Sequence, residues 1–342
     1  MLSCGVQCIN CDYPIHLDTY SGCSHACKYC FVKQRHSIDT IKPLSSVKGV
    51  RDFINGKRNN ETKWCDWNIP IHWGANSDPF QECEREYKKS LEVLRIFAET
   101  QYPFIISTKN PVLLTEEPYL SLLHQCDCVI QISMACSKYD KLETGAPTFK
   151  ERLYAAQILS GNVQRVITRI QPYFTDAHKD IISELPNFKR AGVQGVIVEG
   201  YKSAKKLPGM VESGGKLYRY PTEVLAARFK DIKAECHKHG LEFTCVENLL
   251  DHLSDSLTCC GTANLPTFKP TPYTVSRIAY DGGNAKPTES MKQYGTTRPF
   301  KCIKQNQEWA LMLKDKTYAD MIDYYADMYY YILQNARDMW GE

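Results

Sequence analysis

Ser21-Gly-Cys-Ser-His-Ala-Cys-Lys-Tyr-Cys-Phe31 carries three cysteines, Cys23, Cys27 and Cys30, in a C-x3-C-x2-C spacing. Thiolate sulfur is a soft ligand suited to iron–sulfur clusters. A four-iron cluster ordinarily takes four cysteines. Three on one short loop would hold three irons and leave the fourth open to a small chelating molecule. The competing reading is a zinc knuckle in a non-enzymatic metal-binding protein. Zinc takes four ligands, usually in two pairs, and no second C-x2-C pair at suitable spacing follows. The stretch therefore reads as a cluster loop. Just before it, residues 15–20 alternate apolar and polar side chains as a strand does.

Beyond the loop the chain alternates strands and helices. Further strands are expected over 69–75, 103–109, 128–134, 165–172, 195–201 and 241–247, each short and rich in Ile, Val, Phe or Thr. Helices are expected over 82–100, 119–125, 148–160, 177–191 and 222–239, where apolar residues recur three or four apart. Such alternation means parallel strands with crossover helices. The expected fold is α/β: a partial or near-complete parallel (β/α) barrel of six to seven units, with a helical C-terminal extension. Residues 1–14 read as a cysteine-containing segment, 15–250 as the barrel, and 251–342 as a loop followed by a tyrosine-rich helix over 317–340.

Composition sets bounds. Net charge is only +3, which predicts no strong attraction to nucleic acid or anionic lipid. The opening residues lack a signal peptide's pattern, and no apolar run reaches a membrane span. The expectation is a cytoplasmic protein. Its sixteen cysteines then serve as metal ligands, catalytic groups or small core residues rather than disulfides. Cys4, Cys8 and Cys11 repeat the loop's spacing. They read either as an accessory metal site, zinc or a second cluster, or as a thiol-rich tail.

Barrel sites form at the C-terminal ends of strands. In chain order these ends offer His72, Trp73, Asn76, Ser77 and Asp78; then Ser107 and Lys109; Gln131 and Ser133; Arg169 and Gln171; Glu199 and Tyr201; and Glu247 and Asn248. His72 equally reads as a satisfied core histidine.

The loop resembles the signature of the radical SAM superfamily, with Tyr29 at its aromatic position. Gly74-Ala-Asn-Ser-Asp-Pro-Phe-Gln81, with Glu84 beyond, is similar to a motif of the spore photoproduct lyase-like branch. Ser77 and Phe80 replace its threonine and tyrosine, and Glu82 replaces a proline. Ser107-Thr-Lys-Asn110, and Ser133 with Glu143 and Arg152, resemble further segments of that branch. The resemblance implies a [4Fe-4S] cluster on Cys23, Cys27 and Cys30, with S-adenosylmethionine (SAM) on the open iron. It implies SAM contacts at Tyr29, Asn76, Ser77, Asp78, Ser107, Lys109, Ser133 and Arg152. It also implies hydrogen abstraction by a 5′-deoxyadenosyl radical, and an electron donor such as flavodoxin or ferredoxin.

Two substrate classes stay open. DNA or RNA is one, by analogy with the branch. Against it stand the small net charge, the high cysteine content and the position of the loop, which implies no room upstream for the extra domain of DNA-acting lyases. A small molecule is the other. Within the branch the chain is most similar to the queuine lyase family. That similarity implies cleavage of the C–N bond of queuine, a modified deazapurine, to 7-aminomethyl-7-deazaguanine in queuosine salvage. Trp73, Arg169 and Asn248 would then hold the base, and Glu199, Glu247 and Tyr201 would serve catalysis.

Overall fold

The structure, a computed structural model, describes residues 1–4, 11–33, 37–213, 217–246, 250–274, 277, 286–293 and 319. Parallel strands cannot be joined by a tight turn, so each needs a crossover. Seven such strands follow one another in chain order: β2 Ile15–Leu17, β3 Ile71–Trp73, β4 Phe104–Thr108, β5 Cys128–Ser133, β6 Arg165–Tyr173, β7 Gly195–Gly200 and β11 Glu242–Cys245. The antiparallel strand β1, Leu2–Cys4, pairs with β2 and was not foreseen. The crossovers carry α1 Ser46–Ile54, α2 Glu84–Tyr87, α3 Lys89–Thr100, α4 Pro111–Leu114, α5 Tyr119–Leu123, α6 Phe149–Ser160, α7 His178–Arg190 and α8 Thr222–Lys238. This is the near-complete parallel (β/α) barrel that the alternation predicts. Between β7 and α8, a small antiparallel sheet is built from β8 Lys202–Ser203, β9 Val211–Glu212 and β10 Tyr218–Arg219.

Most helices stand where the periodicity puts them. Thr148 caps α6 through a capping box with Glu151, satisfying two end donors at once. The helix expected over 82–100 is instead two helices, α2 and α3, broken at Lys88 with φ 52°. The helix expected over 317–340 lies outside the described residues.

The period of two along each strand separates two environments. Facing the helices are Trp73, Phe104 and Ile106, all fully buried. The Phe97 ring of α3 stacks on Phe104 at 4.1 Å, and Trp73 packs on Phe80, Phe97 and Phe104. Facing inward are His72 and Ser107. Register carries Ser107 on to Gln131 and Ser133 on to Arg169. The inner face is thus polar near the C-terminal ends, and His72, Ser107, Ser133 and Arg169 keep part of their accessible surface around a fully buried Gln131. They line a chamber.

Segment 255–268 closes the chamber at the N-terminal ends of the strands. Ser256 donates to Glu242 Oε1 (2.9 Å), Arg165 Nη1 to Gly261 O (2.9 Å), and Tyr13 OH to Phe268 O (3.0 Å). Gly261 takes φ +67° and lies against Ile167, where a Cβ would sit 2.5 Å from the Ile167 Cδ1. A side chain there would fill the floor.

Candidate active site

The three-thiol loop follows β2 at the chamber mouth, and side chains of the next βα turn pin it. Gln81, fully buried, donates from Nε2 to Gly22 O (2.8 Å) and accepts at Oε1 from Ser24 N–H (2.8 Å). Both backbone groups beside Cys23 are thereby fixed. His25 has Nδ1 2.9 Å from Gly145 O and Nε2 3.0 Å from Asp78 Oδ2, the latter an ion-pair contact off the hydrogen-bond direction. Glu84 accepts from the Tyr20 hydroxyl, from Tyr119 OH (2.8 Å), and from the N–H groups of Ser90 and Leu91 (2.8 Å each) at the start of α3. A carboxylate at a helix N-terminus is favourable.

Burial raises the Cys27 thiol to about 12, with Lys109 pulling it down and Glu143, Cys23 and Cys30 adding to it. Burial likewise raises Cys23 to about 11. Among the described residues no three His, Cys, Asp or Glu side chains are drawn to coordination distance. The donor set nevertheless fits an iron–sulfur cluster. It is three neighbouring soft thiols whose charge burial penalises, and iron would supply the compensating cation.

Three expected cofactor contacts, Asp78, Ser77 and Arg152, have other work, and a fourth, Asn76, is tied on one side. Asp78 is enclosed and its oxygens are taken: Oδ1 by Phe80 N–H (2.9 Å) and Thr108 Oγ1 (2.8 Å), Oδ2 by Lys109 N–H (2.6 Å) and His25. Burial would raise this carboxyl, but His25 and the donated N–H groups outweigh it and hold it below its ordinary value. Asn76 and Ser77 are held by Asp18, which accepts from Asn76 N–H (3.0 Å), Asn76 Nδ2 (2.8 Å) and Ser77 N–H (3.1 Å). The Ser77 hydroxyl turns back to Tyr20 O (2.7 Å). Arg152 is 1% exposed, donating to Pro147 O and Ser133 O (2.7 Å each) and pairing with Glu143 (2.5 Å). Through Nε and Nη1 it braces α6 against the end of β5. Asn76 stays exposed, and Tyr29, Lys109 and Ser133 keep partial exposure. Tyr29 OH donates to Glu143, and the Lys109 ammonium sits 3.5 Å from that carboxylate and over the Tyr29 ring.

Deeper in, a hydrogen-bonded chain crosses the chamber wall. His72 Nε2 lies 2.7 Å from the Ser107 hydroxyl, which donates to Gln131 Oε1 (3.0 Å), and Arg169 Nη1 donates to the same oxygen (3.4 Å). Arg169 also donates to Gln171, and Gln171 to Glu199. Arg169 Nη2 reaches Glu199 Oε2 at 3.5 Å. Two donors on Gln131 Oε1 fix its amide orientation, and they make His72 the donor to Ser107. Burial lowers His72 well below its ordinary value. The Tyr201 ring packs against Phe174 at 4.8 Å, tilted by 60°, and stays half-buried at this rim.

Trp73 corrects the sequence reading. It is fully buried on the helix-facing side and cannot stack on a ligand in the chamber. Cys4 and Cys11 also part company. Cys4 pairs with Ile15 across β1–β2 and neighbours Cys65, whereas Cys11 neighbours Cys259 and Cys260. Cys8, Glu247 and Asn248 lie outside the described residues. Asp18 and the bracing role of Gln81 were missed; the only signal was an acidic residue closing an apolar strand.

No family model matches the chain. Uncharacterized proteins of Mycobacterium tuberculosis and Mycobacterium bovis are each 26% identical to it over 192 residues, covering 53% of this chain and 56% of theirs. The chain thus spans about half the length of the curated relatives it matches. Among solved structures, a mutant of spore photoproduct lyase superposes with a TM-score of 0.56 at 14% identity, over 69% of this chain and 76% of that one. The two share a fold. Among the described residues no helix is long and apolar enough to cross a membrane.

Proposed function

We propose that this chain is a radical SAM enzyme. The observation that carries the reading is the pinning of a three-thiol loop by Gln81, Asp78 and Glu84 at the mouth of a polar chamber. Cys23, Cys27 and Cys30 would hold a [4Fe-4S] cluster. Tyr29, Asn76, Ser107, Lys109 and Ser133 remain as residues to hold SAM. Together the two groups supply one-electron cleavage of a sulfonium and hydrogen-atom abstraction from substrate. The chain's own part is to bind and orient the substrate and exclude water. Anaerobic reconstitution followed by iron and sulfide analysis tests it. About four irons per chain are expected, lost in Cys27→Ala; a colourless protein holding zinc alone would end the reading.

For the substrate we propose a modified deazapurine base, with queuine C–N cleavage as the reaction. Arg169, Gln171 and Glu199 set donors and an acceptor side by side, as the N–H edge of such a base requires, and Tyr201 offers an aromatic face at the rim. SAM cleavage by reduced enzyme should quicken when queuine is added; no stimulation would remove this substrate. A second reading has one observation in its favour. The small sheet after β7 exposes Lys202, Lys205 and Lys206, which suits a polynucleotide. That reading requires salt-sensitive RNA or DNA binding.

A further inference from the structure

We propose that Cys259 and Cys260 form a redox-active vicinal dithiol in the chamber floor, oxidised to a disulfide by a disulfide-class oxidant and restored by a dithiol-class reductant. Their sulfurs stand 3.9 Å apart, and a disulfide needs about 2.05 Å. The turn that brings them together ends at Gly261, whose φ of +67° reverses the chain against Ile167. The two sulfurs are not equivalent. Cys259 is half-buried, while Cys260 is 1% exposed behind it.

The surroundings favour the same division. Cys259 and Cys260 share one hydrogen bond, which lowers the Cys259 thiol against the opposing effect of burial, and the Arg169 guanidinium lowers it further. The same contact, with burial, raises Cys260. Cys259 is therefore the attacking thiolate and Cys260 the resolving thiol. Cys65, Cys128 and Cys236 are by contrast enclosed, and burial raises their thiols, which makes them inert.

In the first step the Cys259 thiolate attacks one sulfur of R–S–S–R and displaces RS⁻. Cys260 then passes its proton to that RS⁻ and attacks the Cys259 sulfur of the mixed disulfide, displacing the second RS⁻. The protein gives up two electrons, and the oxidant becomes RSH and RS⁻. A bridge between adjacent residues is strained, so it is easily reduced, as regulatory disulfides are. Oxidation also removes a thiol whose charged form favours the Arg169 guanidinium, leaving that charge to Glu199 and Gln131. That last consequence rests on the substrate reading above; the dithiol chemistry does not.

The test uses reduced full-length protein treated with cystamine and, separately, with diamide. Free thiols are then alkylated and the digest is read by mass spectrometry. With either oxidant the Cys259–Cys260 peptide should be unalkylated and lighter by two hydrogens, and dithiothreitol should reverse this. Cystamine on Cys260→Ser should stop at a cysteamine adduct on Cys259, and Cys259→Ser should leave Cys260 alkylatable. Circular dichroism checks that each variant is folded. Both cysteines alkylated after both oxidants, a bridge to Cys11 instead, or no adduct on Cys260→Ser would overturn the proposal. Loss of iron binding would leave it standing.

Discussion

His25 Nε2 stands 3.0 Å from Asp78 Oδ2, so a ring carried between two loop thiols is anchored to the carboxylate that closes the next βα turn. Asp78→Asn keeps the shape but removes the charge and turns an N–H pair toward donors. We expect a loss of about 3 kcal/mol, measured by urea unfolding. We also expect less than half the wild-type iron after anaerobic reconstitution. Equal stability and iron content in both proteins would dismiss Asp78 as the anchor.

The same carboxyl gives a pH dependence. Its folded value lies below the ordinary 3.8 because His25 and the N–H donors outweigh burial. A depressed acid contributes stability in full above its unfolded pKa, and that contribution fades as pH falls through the folded value. Unfolding free energy should therefore drop below about pH 4 in the wild type. Asp78→Asn should flatten that limb, and parallel acid profiles would show that other carboxyls control it.

The barrel was legible because every strand is short, β-branched and bounded by turns, and the loop spacing is rare. What escaped was direction. Trp73 follows His72 by one residue, so strand alternation alone sends it to the helix side once His72 faces the chamber. Asp78 and Arg152 stood in motif positions, but whether a charged group meets a ligand or closes on its own neighbours depends on residues distant in sequence. For Arg152 these are Ser133 O and Glu143. The break at Lys88 arises from how Glu84 caps the next helix, through bonds to Ser90 and Leu91. Cys11 comes within electrostatic reach of Cys259 only because segment 255–268 folds back under the barrel.

Arg152 and Lys109 should separate in experiment. Arg152→Met leaves Glu143 buried without its closest cation, and breaking a buried pair costs about 3–5 kcal/mol. Its melting temperature should fall while the folded fraction still binds SAM. Lys109 is partly open, at 15% side-chain exposure. Lys109→Met should melt within a few degrees of wild type yet bind SAM about tenfold more weakly by equilibrium dialysis. The reverse pattern would return Arg152 to the cofactor site.

Trp73 is surrounded by Phe80, Phe97 and Phe104. Trp73→Ala should cost about 3–5 kcal/mol as an unfilled core cavity. Trp73→Phe should recover most of that. Queuine affinity of the folded Trp73→Phe protein should match wild type, since the ring lies on the far side of the sheet from the chamber. A selective loss of affinity at unchanged stability would contradict the burial.

Glu199 ends the chain of hydrogen bonds from His72 through Gln131 and Arg169, and it is partly open at 17% side-chain exposure. A base presenting two N–H groups would take the carboxylate oxygens as acceptors, with Gln171 and Arg169 holding the carboxylate in place. Glu199→Gln replaces one acceptor by a donor that faces a donor. Hydrogen bonds to a charged group contribute about 1.5–3 kcal/mol, so binding should weaken by about 10- to 100-fold in calorimetry. SAM cleavage without substrate should hold its rate, because Glu199 belongs to the wall rather than to the thiol loop. Gln171→Ala removes only a support and should produce a smaller loss. If Glu199→Gln binds queuine as tightly as wild type while Gln171→Ala does not, the acceptor for the base is not Glu199.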